Sequence, residues 1–179
     1  GEVEVDGAYF GGYIKPANMK ENRLDRRSRY VRNGKREVVV VMRQRGGDAL
    51  TSVFKAEYDS VKVIEQRVAN GSTIYADEAT GWDSLHARYD TKRINHSEAY
   101  SHNGACTNQA ESFFSRLRRA EIGTYHSIAG KYLNMYAAEM SWRENNRRRS
   151  NGEQYLIVSK VAINSPISRH WKGYWQKAA

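Results

Sequence analysis

Residues 3–10 read Val-Glu-Val-Asp-Gly-Ala-Tyr-Phe. Val3, Val5 and Ala8–Phe10 alternate with acidic or small residues, the period-two pattern of a strand that buries a face. Asp6 interrupts this apolar pattern, where a charged side chain is costly unless it meets a partner. Gly11 and Gly12 end the strand. Taken alone, Asp6 reads either as an edge residue facing water or as part of a site.

Downstream, Lys15–Arg36 is a polar, basic tract, readable as a solvated loop or as a phosphate-contacting arm. Glu37–Met42 holds four consecutive valines, Val38 to Val41, and predicts a central strand. Gly46 and Gly47 mark a turn, and Thr51–Phe54 is a candidate third strand. Val61, Ile64 and Val68 repeat at helical spacing within Ser60–Ala69, closed by Asn70-Gly71. Thr73–Ala76 predicts a short strand running into Asp77. Trp82–Arg88 reads as helical, and Arg93–Asn95 as a further strand. Helices are expected from Asn108 to about Glu121 and from Ile128 to about Arg147, the second with Leu133, Tyr136, Ala137, Met140 and Trp142 on its apolar side. Strands, then strand–helix alternation, then helices define a mixed α/β layer fold. The division expected is one α/β domain over 1–150 and a C-terminal tail, 151–179, whose structure the pattern does not assign.

The 179 residues suffice for one well-cored domain. A net charge of +9, from 29 Lys and Arg against 20 Asp and Glu, points to a polyanionic partner: DNA, RNA or an anionic membrane surface. No apolar run approaches the roughly 20 residues that span a bilayer, which weakens the membrane reading. The single cysteine, Cys106, can form neither an internal disulfide nor a zinc site, and it fits a reducing cytoplasm. A chain that opens on Gly1 and at once enters a strand is expected to be a fragment.

Two further acids stand in positions that suit chemistry. Asp77 ends a strand, where α/β sites are commonly built, although it could also cap the helix that contains Trp82. Glu111 lies in the first turn of a helix, where the helix dipole also favours an acid with no further role. At helical spacing Asn108, Glu111 and Arg118 line one side. Metal-assisted phosphoryl transfer needs few protein ligands, because Mg²⁺ takes oxygen donors and keeps several waters. Two such ions roughly 3.5–4 Å apart can activate an attacking oxygen and stabilise a leaving one.

Asp77 and Glu111 are 34 positions apart, a spacing that resembles the DDE transposase and integrase superfamily. The blocks VEVDGAYFGG, IYADEATGW, HNGACTNQAESFFSRLRRAEIGTYHSI and YLNMYAAEMSWRENNRR resemble those of the ISXO-like group of insertion-sequence transposases, over Val3 to Arg148. The resemblance implies an RNase H-like mixed sheet flanked by helices. It implies two Mg²⁺ ions, replaceable by Mn²⁺, held by Asp6, Asp77 and Glu111, with Asp6 bridging. It further implies hydrolysis at transposon ends, attack of the released 3′-hydroxyl on target DNA, and a homodimer or higher multimer in the DNA complex. The expected setting is the bacterial cytoplasm, at the nucleoid. Arg118 falls where the family commonly has a lysine near the cleaved phosphate, and arginine keeps the charge. Arg119, Asn108, Arg147 and Arg148 are further candidates for DNA contact. Two departures stand out: Gly7 where an acid usually follows the first Asp, and Phe114 where the group tends to have Trp. Gly7 and the missing N-terminal DNA-recognition region keep an inactive DNA-binding remnant open as an alternative, and a nuclease of the same fold is another.

Among other residues, His102 and Asn103 could orient water or phosphate or stabilise a loop. His126 suits a structural role between two helices, and Trp82 and Trp142 suit the core better than base stacking. Arg147, Arg148 and Arg149 either complement a helix dipole or neutralise DNA phosphates.

Overall fold

The valine-rich run and the Asp6 strand pair directly. The structure, a computed structural model, describes residues 1–11, 17–23, 36–94, 106–126, 128, 130–168 and 173. Strand β1 (Glu2–Phe10) lies in the middle of a five-stranded sheet ordered β3-β2-β1-β4-β5. β2 (Glu37–Gln44) runs antiparallel to β1, with Asp6 opposite Val41, and β3 (Ala49–Phe54) runs antiparallel to β2. β4 (Thr73–Asp77) and β5 (Asp90–Ile94) extend the other side in parallel. An antiparallel meander followed by parallel crossovers is the topology expected of an RNase H-like α/β fold, and the sheet is flanked by helices on both faces.

Alternation along the strands sorts the core into two layers. On one face Ala8, Phe10, Val39 and Val41 pack against Ala110, Phe113, Phe114 and Leu117 of helix α2 (Asn108–Ala120). Leu133 and Ala137 of α3 (Leu133–Asn146) complete that layer. On the other face Val5, Val38, Val40, Ile74 and Ala76 pack against Ile64 of α1 (Val61–Arg67) and against Trp82 and Leu85. Four consecutive valines at 0% exposure are explained by this double cover, since a strand buried on both faces has no polar positions.

Several expectations are corrected in detail. The segment around Trp82 is helical as expected, in 3-10 geometry and shifted to Thr80–Ala87. The helix expected from Ile128 begins at Leu133, after a 3-10 turn at Gly130–Tyr132; Gly130 has φ +55°, which interrupts α-helical geometry. Trp142 joins neither core layer, because Ser141 and Glu144 take the inward positions near the C-terminal end of α3. α2 continues into a π-helical turn, Glu121–Tyr125, that ends at His126 with φ +59°. In the tail, α4 (Asn151–Asn164) is a helix with no buried residue, capped by Ser150 and Glu153. Most of the Lys15–Arg36 tract, and His102 and Asn103, lie outside the described residues. Among the described residues no helix is long and apolar enough to cross a membrane.

Candidate active site

Three acids alternate along β1: Glu2, Glu4 and Asp6. Residues two apart share a strand face, and this one is turned toward α2. Each acid has a different task. Glu2 accepts a hydrogen bond from the Tyr75 hydroxyl at 2.8 Å. Glu4, 1% exposed, accepts the backbone N–H groups of Gln109 (2.8 Å) and Ala110 (3.1 Å) through one oxygen. Its other oxygen accepts from Arg45 Nε at 3.0 Å. An α-helix leaves its first N–H groups without internal partners, so Glu4 caps α2 from the neighbouring strand. That cap fixes the first turn of α2 against β1, and the first turn carries Glu111.

Asp6 and Glu111 consequently line one pocket of roughly 480 Å³, together with Phe114, Arg118, Arg119 and Ile122. The Asp6 carboxylate also accepts the Gly7 amide at 2.7 Å. Two carboxylates beside two guanidiniums make a pocket suited to a cation and a phosphate together. Asn108 is parted from Glu111 and Arg118: it lies on another flank of α2, with Ser112 and Arg116.

Asp77, the other candidate acid, stands on the neighbouring strand and does not line this pocket. β1 and β4 pair in parallel up to Val5 opposite Ala76, so Asp6 and Asp77 are the next residues along adjacent strands. Oδ1 of Asp77 accepts the indole N–H of Trp82 at 2.8 Å and the Ala79 amide at 3.1 Å. Asp77 therefore organises the turn after β4 without a side-chain cap on the 3-10 helix, whose N-cap is Ala79. Arg93 of β5 staples the same turn, donating to the carbonyls of Asp77 and Ala79 at 2.5 Å each and to Asp83 at 3.1 Å. Among the described residues, no three His, Cys, Asp or Glu side chains stand close enough together to form a ready-made metal cage.

Gly7 looks onto the opposite face, where a side chain would meet Glu57 and Val38. A Cβ there would lie 3.1 Å from Glu57 Cγ, from Glu57 Oε1 and from Val38 Cγ2. Glu57 is wedged between Gly7 and Gly81, whose own Cβ would stand 2.9 Å from Glu57 Cβ. Burial, and then the nearby Asp77 carboxylate, push the Glu57 carboxyl above its ordinary pKa.

Reading the sequence alone missed Glu4, Glu57, Arg93 and the polar edge of Trp82. A signal for Glu4 existed, since Glu2, Glu4 and Asp6 at spacing two must share one face. Nothing local marks Glu57 or Arg93, whose partners come from other elements.

Fold and site together define an α/β domain of RNase H-like topology with an acidic and basic pocket where β1 meets α2. The family model for the ISXO2-like transposase domain matches residues 1–145, and the chain belongs to that family of insertion-sequence transposases, which process DNA. Searches of curated proteins and of solved structures gave no significant match.

Proposed function

We propose that this domain cleaves DNA at insertion-sequence ends and joins the released ends to target DNA, using divalent metal held by Asp6, Asp77 and Glu111. The observation that carries the reading is the pocket in which Asp6 and Glu111 face Arg118 and Arg119. Mg²⁺ fits this donor set. It takes hard oxygen ligands and is commonly held by one or two carboxylates plus substrate phosphates, so no closed cage is required. When bound, the metal would activate the attacking oxygen and offset charge on the leaving one. Asp6 and Glu111 would supply ligands from a rigid strand and a capped helix, and Asp77 from the adjacent strand end. Arg118 and Arg119 would hold the DNA backbone beside the scissile phosphate through charge-assisted hydrogen bonds. Joining two transposon ends calls for at least two copies of the chain on the DNA.

The test uses the full-length transposase, DNA carrying the element's ends, and Mg²⁺ or Mn²⁺. Strand-transfer products that vanish with Asp77→Ala or Glu111→Gln support the proposal. Tight DNA binding without cleavage in either metal would replace it with a DNA-binding remnant, and cleavage without joining with a nuclease.

A further inference from the structure

A second basic pocket lies on the other flank of α2. Glu111, Ser115, Arg118 and Ile122 border the carboxylate pocket, whereas Asn108, Ser112 and Arg116 border this one. Arg116 is five residues from Glu111, about 140° round the helix. The second pocket is the larger, roughly 790 Å³. Its cations come from three elements: Arg43 from β2, Arg116 from α2, and Arg147 and Arg148 just beyond α3.

Four guanidiniums here face two acids, Glu144 and Asp48. Three of them converge on the buried Glu144: Arg43 at 3.4 Å, Arg116 at 2.9 Å, and Arg147. One carboxylate cannot satisfy three such forks. Arg43 is 7% exposed, and its Nη1 has no hydrogen-bond partner among the described residues. A buried donor left unpaired is costly, and it marks a cluster with more guanidinium donors than Glu144 can serve. Crowding acts in the same direction. Burial lowers the pKa of Arg43, and Arg116 lowers it further; burial lowers that of Arg147, followed by Arg116, Arg43 and Arg148. Helix-dipole complementarity explains Arg147 and Arg148 at the end of α3, but not Arg43 or Arg116. Of the amides at the start of α2, those of Gln109 and Ala110 are already taken by Glu4.

We infer that this pocket, built by Arg43, Arg116, Arg147 and Arg148 around Glu144, seats a backbone phosphate of duplex DNA away from the cleavage site. α2 would then touch the duplex on two flanks, one for chemistry and one for grip. The inference shares with the proposed function only the premise that DNA is the partner; it does not depend on metal or on cleavage.

The test measures binding of a short duplex by fluorescence anisotropy across a salt series, with chelator present. Arg147→Gln/Arg148→Gln changes two exposed side chains, and Arg116→Gln is a second, independent variant. Each is checked for an unchanged circular dichroism spectrum. The matched control, Arg67→Gln/Arg88→Gln, removes two charges from the α1 side of the sheet. For every phosphate that a variant no longer neutralises, the slope of log affinity against log salt should shrink by about 0.9. The inference expects that drop, with weaker binding, in the pocket variants and not in the control. Equal slopes in all proteins would overturn it. A free anion is the other source of the same chemistry. If inorganic phosphate raises the melting temperature of the wild type but not of the pocket variants at matched ionic strength, while their DNA binding stays intact, the pocket serves a free anion and the DNA assignment falls. Loss of cleavage with Asp77→Ala leaves this result untouched, so the two readings fail separately.

Discussion

The Glu4 carboxylate accepts the Gln109 amide at 2.8 Å, and each of these residues stands two positions before a site acid, Asp6 and Glu111. A single buried contact thus sets the register between the strand and the helix that form the pocket. Glu4→Gln should remove the negative charge that Arg45 and two helix amides share. The expected loss is about 3 kcal/mol, the low end for breaking a buried pair, because Arg45 keeps some access to water. Chemical denaturation reads it directly; an unchanged midpoint would show that α2 is held by its apolar face alone.

Trp82→Phe keeps an aromatic ring in the core but deletes the N–H held by Asp77. The missing bond and the space vacated by the larger ring should together cost about 2–4 kcal/mol. On the proposed function, in which Asp77 holds metal, the loss of this fixed partner should also change Mn²⁺ binding measured by calorimetry. Trp142→Phe, outside both core layers, should alter neither quantity.

Gly7 and Gly81 flank Glu57 at different depths. At Gly81 an added Cβ meets the root of the Glu57 side chain at 2.9 Å, which cannot swing aside. At Gly7 the contacts are 3.1 Å, two of them to the movable Glu57 end and one to Val38. Gly81→Ala should therefore destabilise the fold by about 1–3 kcal/mol, with Gly7→Ala below it in the same series. Thermal melts of the two variants give the ranking, and the reverse order would contradict the packing described.

The start of α4 should respond to pH. Ser150 donates to the Glu153 carboxylate from its amide and its hydroxyl at 2.8 Å each, and these bonds lower the Glu153 pKa. A depressed carboxylate contributes above its unfolded pKa and loses that contribution as pH falls through the folded value. The protection of amides in the first turn of α4, taken against the intrinsic exchange rate at each pH, should accordingly fall on acidification below the ordinary glutamate range. Ser150→Ala should show low protection at every pH.

Much of the fold was legible because it rests on periodicity. The β1 alternation, the Val38–Val41 run and the Ile64–Val68 spacing are local patterns, and each marks a real element. Bounds and helix type that obey short-range geometry were less legible: the helix at Trp82 is a 3-10 segment beginning at Thr80, and α3 starts late, after Gly130. At the site, the placement of Asp6 and Glu111 on one pocket follows from elements the pattern revealed. The contacts that position them do not, because Glu4 meets Gln109 across 105 residues and Arg93 meets Asp77 across 16. Sequence spacing carries no record of which strand face a distant helix will seek.

The parallel pairing of β1 with β4 has a consequence for how the protein is made. Glu2 and Thr73, 71 positions apart, must meet before Asp6 and Asp77 become neighbours, and α2 is synthesised later still. Closing so long a loop is among the slower events in folding, since its entropy is given up before the contacts offset it. A nascent or partly folded copy consequently carries all three acids before they are brought near one another. On the proposed function, activity toward DNA would therefore wait for the whole sheet.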